Sequence, residues 1–219
     1  MTPVTFWFDP ISPYAYLAFE RLPQAFEGCS YVVEYRPLLF AGLLKHWGQL
    51  GPAEIAPKRD WTYRQVAWLG ERHGIPLHMP AAHPFNPLPL LRLLIACGRD
   101  GAPNRWQCEA VLRHVWQGGA AVDAPGRLAE LTALLKPPRD PQSDAVKQQL
   151  RANTEAAIAA AVFGVPTLML PGPRPDAPPR LFWGSDGLDM AAACLRGDAW
   201  FDAHWDDPAR VDSGTQRAR

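Results

Sequence analysis

Ser12 is the residue that the sequence places best for chemistry. It follows an apolar run at residues 4–8 and the break Asp9-Pro10, and it precedes Pro13. Because proline is favoured at the first position of a helix, this pattern predicts that Ser12 is a helix N-cap. Its hydroxyl would lie beside the free N–H groups and the positive dipole end of the helix, which favour a bound anion. A serine that serves only as a cap is the alternative, and the local pattern leaves both open.

The elements around Ser12 predict an α/β protein. The apolar run before it and residues 31–36 are rich in β-branched and aromatic side chains, which predicts two strands joined by a helix. Such a βαβ unit is right-handed, and its strands are parallel. Residues 164–170 and 181–183 predict two further strands, antiparallel because the loop between them is short, before a helix at 188–195. Open α/β sheets bind ligands at the carboxyl ends of their strands, where Ser12 falls.

Between these two α/β segments the sequence predicts helices and loops alone. Helical patterns cover residues 38–47, 58–73, 88–99, 104–117, 127–136 and 140–163. We interpret this organisation as an all-helical domain, residues 40–139, inserted into an α/β domain formed by residues 1–39 and 140–200. Residues 201–219 are predicted to be a polar C-terminal tail.

Composition and cysteine spacing exclude several classes of function. The 22 Lys and Arg residues balance the 22 Asp and Glu residues, so the chain lacks the basic character of a nucleic-acid-binding protein. No segment has the pattern of a membrane span or a secretory leader, and a cytoplasmic location is the expectation. The four cysteines form neither a C-x-x-C pair nor a zinc-binding pattern, so we expect buried thiols and no metal site: Cys29, Cys97, Cys108 and Cys194.

Three motifs carry a family resemblance. They read F-D-P-I-S-P-Y-A-Y-L at residues 8–17, F-G-V-P-T at 163–167 and L-F-W-G-S-D at 181–186. In this order and spacing the chain resembles the 2-hydroxychromene-2-carboxylate isomerases, relatives of the kappa-class glutathione transferases. The resemblance implies an α/β, thioredoxin-like fold with an inserted all-helical domain, as in DsbA-like proteins. Ser12 stands where a disulfide oxidoreductase has the first cysteine of its C-x-x-C motif, which excludes dithiol exchange there.

The resemblance also implies glutathione as the cofactor, with Ser12 holding its thiol. A hydroxyl that donates to a thiolate contributes roughly 1.5–3 kcal/mol, and a helix N-terminus contributes about 0.3–1 kcal/mol. Together they would lower the pKa of the thiol from about 8.5 to about 5.5–7.5 and make the thiolate the nucleophile. Direct attack by the serine is the rival role. It would need a base, and the sequence shows no G-x-S-x-G motif.

Further glutathione contacts follow from the same resemblance. Val165 and Pro166, joined by a cis bond, would offer backbone groups to the cysteinyl part. Ser185 and Asp186 would bind the γ-glutamyl end. Gln49 stands where the family commonly has an asparagine that contacts the cofactor. Pro166 as the start of an edge strand, and Ser185-Asp186 as an ordinary helix cap, are the alternatives.

Other residues are candidates for the substrate side of the site. Lys58 falls at a family lysine and could meet a substrate carboxylate, with Arg59 and Arg64 as alternative partners. Tyr14 and Trp183 would line an aromatic substrate site. Solvated helix charges and core packing are the ordinary explanations for these residue types.

A proline-rich loop at residues 78–87 contains His83 and Asn86. Its prolines restrict the backbone, so the loop is pre-organised and could form one wall of a pocket. A purely structural role for both side chains is the alternative.

The sequence therefore predicts a glutathione-dependent isomerase. Its substrates would be aromatic compounds of the 2-hydroxychromene-2-carboxylate and trans-o-hydroxybenzylidenepyruvate type, interconverted by reversible thiolate addition. A kappa-like transferase or peroxidase is one alternative, and a non-catalytic thioredoxin-like protein that binds a peptide at the Val165-Pro166 edge is another. A homodimer is implied by the resemblance alone. Gly187 departs from the family pattern, in which arginine is common.

Overall fold

A four-stranded mixed sheet lies at the centre of the molecule. The computed structural model describes residues 1–98 and 100–205. Strand β1 (Thr2–Phe8) pairs in parallel with β2 (Tyr31–Pro37) and antiparallel with β3 (Thr167–Leu170). Strand β4 (Arg180–Trp183) pairs antiparallel with β3 and completes the order β2-β1-β3-β4. This topology confirms the predicted parallel βαβ unit, the antiparallel hairpin and the thioredoxin-like fold class.

Helices surround the sheet and fill the long connection between β2 and β3. Helix α1 (Pro13–Ala25) joins the two parallel strands, and no strand interrupts the described part of that connection. Its elements are α2 (Phe40–Trp47), a 3₁₀ turn (Pro52–Glu54), α3 (Ala56–His73), α4 (Leu88–Cys97), α5 (Arg105–Trp116), α6 (Pro125–Leu135) and α7 (Asp144–Ala159). Helices α8 (Gly187–Leu195) and α9 (Ala199–His204) follow the last strand.

Helix α7 is shorter than the predicted helix at 140–163. It begins only after Ser143, whose side chain accepts a hydrogen bond from the Val146 N–H group. It ends near Ala161, whose φ of 61° is left-handed and incompatible with a continuing helix. Residues 162–166 are therefore free to form the loop that precedes β3.

Strand β1 is buried on both faces. Its successive side chains point to opposite faces of the sheet and pack into two separate apolar clusters. Val4, Phe6 and Phe8 belong to the larger cluster, which also contains residues of α1, α4 and α5. Trp7 points to the opposite face and belongs to a smaller cluster with Val162 and Val165. The helical connection thus shares one core with the sheet, and the division at residues 40 and 140 stays a prediction.

The C-terminal segment differs from the prediction of a polar tail beginning at residue 201. Phe201 lies in α9 with only 3 % of its surface exposed, and its ring packs against Phe182. Trp205 also packs against Phe182, with 5.1 Å between ring centroids. The prediction was wrong for residues 201–205 because two apolar side chains in a polar stretch reach the core. Residues 206–219 lie outside the described residues.

The four cysteines differ in how deeply they are buried. All four thiols are free; Cys97 and Cys108 are buried, while Cys29 and Cys194 are half-buried. Burial raises the pKa of Cys97 to about 11, although the nearby Arg139 opposes this rise. Within residues 1–98 and 100–205, no group of His, Cys, Asp or Glu side chains could hold a metal ion. None of the described helices is both long and apolar enough to cross a membrane.

Candidate active site

Ser12 caps α1 and joins two of the three sequence motifs. Its Oγ accepts a hydrogen bond from the Ala15 N–H group at 3.2 Å, which confirms the predicted N-cap. The same hydroxyl donates to the carbonyl oxygen of Val165 at 3.3 Å. The Val165-Pro166 peptide bond is cis, as the resemblance implies. The side chain of Ser12 is 7 % exposed and lies between the start of α1 and the loop before β3.

Asp9 anchors the turn that presents Ser12. Its buried carboxylate accepts hydrogen bonds from the N–H groups of Ile11 at 3.0 Å and Phe40 at 2.9 Å. Its own carbonyl accepts from the Ser12 N–H group at 3.0 Å. Burial raises the pKa of this carboxyl from 3.8 to about 7, and the two hydrogen bonds only partly oppose that rise. Asp9 therefore ties the turn to the start of α2 and titrates near neutral pH.

Two side chains from the helical connection hold the carbonyl groups of the same turn. The Trp116 indole donates to the Pro10 carbonyl at 3.0 Å. The His83 Nε2 atom lies 2.8 Å from the Ile11 carbonyl oxygen. The carbonyl groups of Asp9, Pro10 and Ile11 thus all accept hydrogen bonds, and these bonds hold the turn that carries Ser12.

Sequence reasoning missed these anchors. It interpreted Asp9 only as part of the break that ends a strand, because a carboxylate is costly to bury and the sequence does not show the backbone groups that bind this one. It considered His83 for a pocket wall, whereas the ring holds the Ile11 carbonyl. Asn86 has the structural role that was left as the alternative, because its Oδ1 accepts from the Leu88 N–H group at 3.1 Å.

The Ser185-Asp186 turn lies next to Pro166. The Gly184 N–H group donates to the Pro166 carbonyl at 2.9 Å, and Gly184 has a left-handed φ of 87°, which favours glycine. Ser185 is buried, and its carbonyl accepts from Arg21 at 3.1 Å. Asp186 occupies the N-cap position of α8, yet in the described chain its exposed carboxylate makes no capping hydrogen bond. This carboxylate is available for a ligand.

Tyr14 connects the head of α1 to α3. Its hydroxyl donates to Gln65 Oε1 at 2.6 Å. Partial burial raises the pKa of the Tyr14 phenol, and the charge of Asp186 acts in the same direction. The phenol therefore stays protonated at neutral pH, and Asp186 is close enough to influence it.

Trp183 forms an aromatic surface beside the loop before β3. The indole is 54 % exposed, so the core-packing alternative does not apply to it. Its ring lies 5.1 Å from the half-exposed ring of Phe163. A Cβ atom at Gly164 would overlap the Trp183 indole nitrogen, so glycine at this position lets the indole lie against the main chain.

We expect Gly164→Ala to displace the Trp183 indole. The substitution would remove the ring contact with Phe163 and destabilise the fold by about 1 kcal/mol, the value of an aromatic pair. ¹⁹F NMR of protein labelled with 5-fluorotryptophan should show a shifted Trp183 signal, and chemical denaturation gives the free energy. Gly126→Ala is the control because a Cβ there meets no atom within 4 Å. An unmoved Trp183 signal in Gly164→Ala would contradict the contact.

Gln49 and Lys58 are not joined to this group by side-chain hydrogen bonds. Gln49 is exposed in the loop after α2, and its N–H group donates to the Leu44 carbonyl. Lys58 is exposed in the first turn of α3 and forms no ion pair with another described residue. Their predicted contacts with cofactor and substrate stay predictions, as do those of Arg59 and Arg64.

The arrangement can stabilise an anion but has no nucleophile of its own. Among the described residues, the hydrogen-bond partners of the Ser12 hydroxyl are the Ala15 N–H group and the Val165 carbonyl. Neither can act as a base, so the serine lacks the activation that direct attack requires. A hydroxyl donor and a helix N-terminus together favour a thiolate or another anion supplied by a ligand.

The chain is similar to known proteins over most of its length. A family model for the DSBA-like thioredoxin domain matches residues 3–196. The 2-hydroxychromene-2-carboxylate isomerase of Pseudomonas putida is 27% identical over 201 residues, covering 88% of this chain and 93% of the relative. Glutathione S-transferase kappa 1 of Homo sapiens is 26% identical over 214 residues, covering 90% of this chain and 92% of that relative. A solved 2-hydroxychromene-2-carboxylate isomerase matches with a TM-score of 0.70 and 25% identity over 94% of this chain and 100% of that one.

Proposed function

Since this chain belongs to the DSBA-like thioredoxin domain family, we propose that it is an isomerase that uses glutathione as its cofactor. The observation that carries the proposal is the Ser12 hydroxyl at the head of α1, 3.3 Å from the carbonyl before Pro166. Curated relatives over most of the chain are 2-hydroxychromene-2-carboxylate isomerases and kappa-class glutathione transferases. The proposed substrates are 2-hydroxychromene-2-carboxylate and trans-o-hydroxybenzylidenepyruvate type compounds.

The polar groups around Ser12 fit glutathione. Ser12 can turn its single hydroxyl hydrogen from the Val165 carbonyl to a thiolate. The Val165 carbonyl then becomes free to accept the cysteinyl N–H group. The Val165 N–H group has no hydrogen-bond partner among the described residues, so it can donate to the cysteinyl carbonyl. The Asp186 carboxylate, which makes no capping hydrogen bond in this part of the chain, suits the γ-glutamyl ammonium.

The protein's own residues would position and stabilise the reacting groups. Bound glutathione supplies a thiolate that adds to a conjugated carbon of the substrate and later leaves, with no net redox change. Ser12 lowers the pKa of that thiol by donating to the charged form. Trp183 and Tyr14 would hold the aromatic ring, and Lys58 would pair with the substrate carboxylate.

The direct test is turnover of 2-hydroxychromene-2-carboxylate by gel-filtered protein with and without added glutathione. The proposal expects isomerisation that requires glutathione and leaves its concentration unchanged. Turnover that is undiminished without glutathione would contradict it.

A kappa-like transferase or peroxidase is the second candidate, supported by the match to the human kappa 1 enzyme. It differs in its products, because a conjugate or glutathione disulfide must accumulate. Following glutathione by mass spectrometry during the same turnover experiment separates the two activities.

Asp186→Asn is expected to weaken glutathione binding by about two- to fivefold, the range for an exposed ion pair. Calorimetry should show this loss for glutathione but not for an analogue that lacks the γ-glutamyl amino group. Asp176→Asn, which removes an exposed carboxylate in the loop between β3 and β4, is the control. Equal losses for both ligands would argue against the assigned ammonium contact.

A further inference from the structure

The His83 ring joins the helical segment between β2 and β3 to the turn that carries Ser12. Its Nε2 atom lies 2.8 Å from the Ile11 carbonyl oxygen, and its Nδ1 atom lies 2.8 Å from the Tyr63 hydroxyl. The ring also packs against Trp116, with 5.5 Å between centroids. His83 and Ile11 are 72 residues apart, so this contact couples distant parts of the chain.

The direction of the hydrogen bond to Ile11 follows from the chemistry of the two atoms. A carbonyl oxygen only accepts, so Nε2 must carry a proton and donate. Burial lowers the pKa of His83, although the bond to Ile11 opposes this, and the ring is therefore mainly neutral near pH 7. In the neutral ring Nδ1 has a lone pair, and the single hydrogen of the Tyr63 hydroxyl is shared between Nδ1 and the main-chain carbonyl of His83, which lies 2.9 Å from that hydroxyl.

The Ile11 carbonyl belongs to the same peptide group as the Ser12 N–H. That planar peptide carries two fixed contacts, one from His83 to the oxygen and one from the Ser12 N–H group to the Asp9 carbonyl at 3.0 Å. Movement of the Ile11 oxygen rotates this plane and moves the Ser12 Cα that follows it.

We propose that His83 is a positioning residue for Ser12, acting as the donor to the Ile11 carbonyl, and that Tyr63 orients its ring. The proposal rests on the proposed function only where glutathione affinity is the readout. The Ser12 hydroxyl reaches a bound thiolate in the correct direction only while the Ile11 peptide is held. In this role His83 acts through the Ile11 peptide and needs no contact with cofactor or substrate.

Two amide substitutions separate the donor from the bulk of the ring. His83→Gln can place an N–H donor near the position of Nε2, whereas His83→Asn places its amide near Nδ1, away from Ile11. His83→Leu removes both nitrogens. We expect His83→Leu and His83→Asn to weaken glutathione binding roughly 2- to 10-fold, the range for one lost hydrogen bond, and His83→Gln to restore it to within about twofold.

The matched control is His78→Leu. His78 lies in the same loop, and its Nδ1 atom likewise meets a backbone carbonyl, that of Gln117 at 3.0 Å, but this carbonyl is not in the Ser12 turn. We expect His78→Leu to leave glutathione affinity unchanged. Tyr63→Phe should weaken binding in the wild-type background and have a smaller effect in His83→Leu, where only the bond from Tyr63 to the main-chain carbonyl of residue 83 is left to lose.

A readout without ligand keeps this proposal separate from the proposed function. The Ser12 amide signal in a ¹⁵N–¹H NMR spectrum reports the hydrogen bond to the Ile11 oxygen of the same peptide. It should shift in His83→Leu and His83→Asn and return toward the wild-type position in His83→Gln. Identical signals in all variants, or equal effects of the Leu, Asn and Gln variants, would overturn the positioning role even where the wild type binds glutathione. Absence of glutathione binding by the wild type would instead contradict the proposed function and leave the NMR result to decide on His83.

Discussion

Ser12→Ala is expected to reduce glutathione-dependent turnover by roughly 10- to 100-fold, which corresponds to the loss of a hydrogen bond to a charged group. The variant lacks the hydroxyl donor at the N-cap of α1, which in the structure donates to the Val165 carbonyl. The pKa of the bound thiol should therefore rise toward its solution value, and the pH at which turnover reaches half its maximum should rise with it. Steady-state kinetics with saturating glutathione between pH 6 and 9 measures both effects.

Ser143→Ala is the matched control for this experiment. Ser143 is also a helix-capping serine, accepting from the Val146 N–H group of α7, but its hydroxyl donates to the Asp140 carbonyl. Each variant loses a cap, which typically costs about 1 kcal/mol of stability. Only Ser12→Ala should lose turnover. If the two variants lose turnover equally, Ser12 is a structural cap and the catalytic assignment fails.

Asp9 gives the second large effect, on stability rather than turnover. Its pKa is about 7 in the folded protein, against an ordinary 3.8, so the folded state holds a proton that the unfolded state releases between these values. The stabilisation is complete below pH 3.8 and is lost as the pH rises through about 7. From pH 5 to pH 8 the free energy of unfolding of the wild type should fall by about 3 kcal/mol relative to Asp9→Asn.

Urea denaturation of wild type and Asp9→Asn at a series of pH values measures this difference. The Asn side chain has one acceptor oxygen, so its NH₂ group must face a second N–H donor, that of Ile11 or Phe40. The variant should therefore be less stable than the wild type at pH 5. Asp60→Asn, at an exposed carboxylate, is the control for general charge effects. If the free energies of unfolding of wild type and Asp9→Asn change with pH in the same way, Asp9 does not hold its proton in the folded state. The ¹³C signal of the Asp9 carboxyl gives an independent titration should the variant fail to fold.

The parts of the fold that local sequence determines were predictable. The apolar run of β1 and the Ser12-Pro13 pair fix a strand and a helix start through propensity and capping, which depend on a few neighbouring residues. The parallel pairing of β1 with β2 followed from the helix between them, and the antiparallel pairing of β3 with β4 followed from their short loop. The cis peptide bond before Pro166 was implied by the family resemblance of the motif at residues 163–167, because local preference alone favours a trans bond.

The anchors of the Ser12 turn were not predictable in the same way. The contact between Trp116 and Pro10 spans 106 residues, and that between His83 and Ile11 spans 72. Such pairs depend on how the helical connection packs against the sheet, which single-residue preferences do not determine. The burial of Phe201 was unpredictable for the same reason. It belongs to a stretch that was interpreted as polar, and only tertiary packing buries its side chain.

Calorimetry of reduced glutathione binding to wild type and Ser12→Ala, in buffers of different ionisation enthalpy between pH 6 and 9, tests the central claim most directly. If Ser12 holds the thiolate, the wild type should release a proton on binding near neutral pH, because the pKa of the thiol is lowered in the complex. Ser12→Ala should bind more weakly and release none. Proton release that is equal in both proteins, or no binding by the wild type, would contradict the role of Ser12.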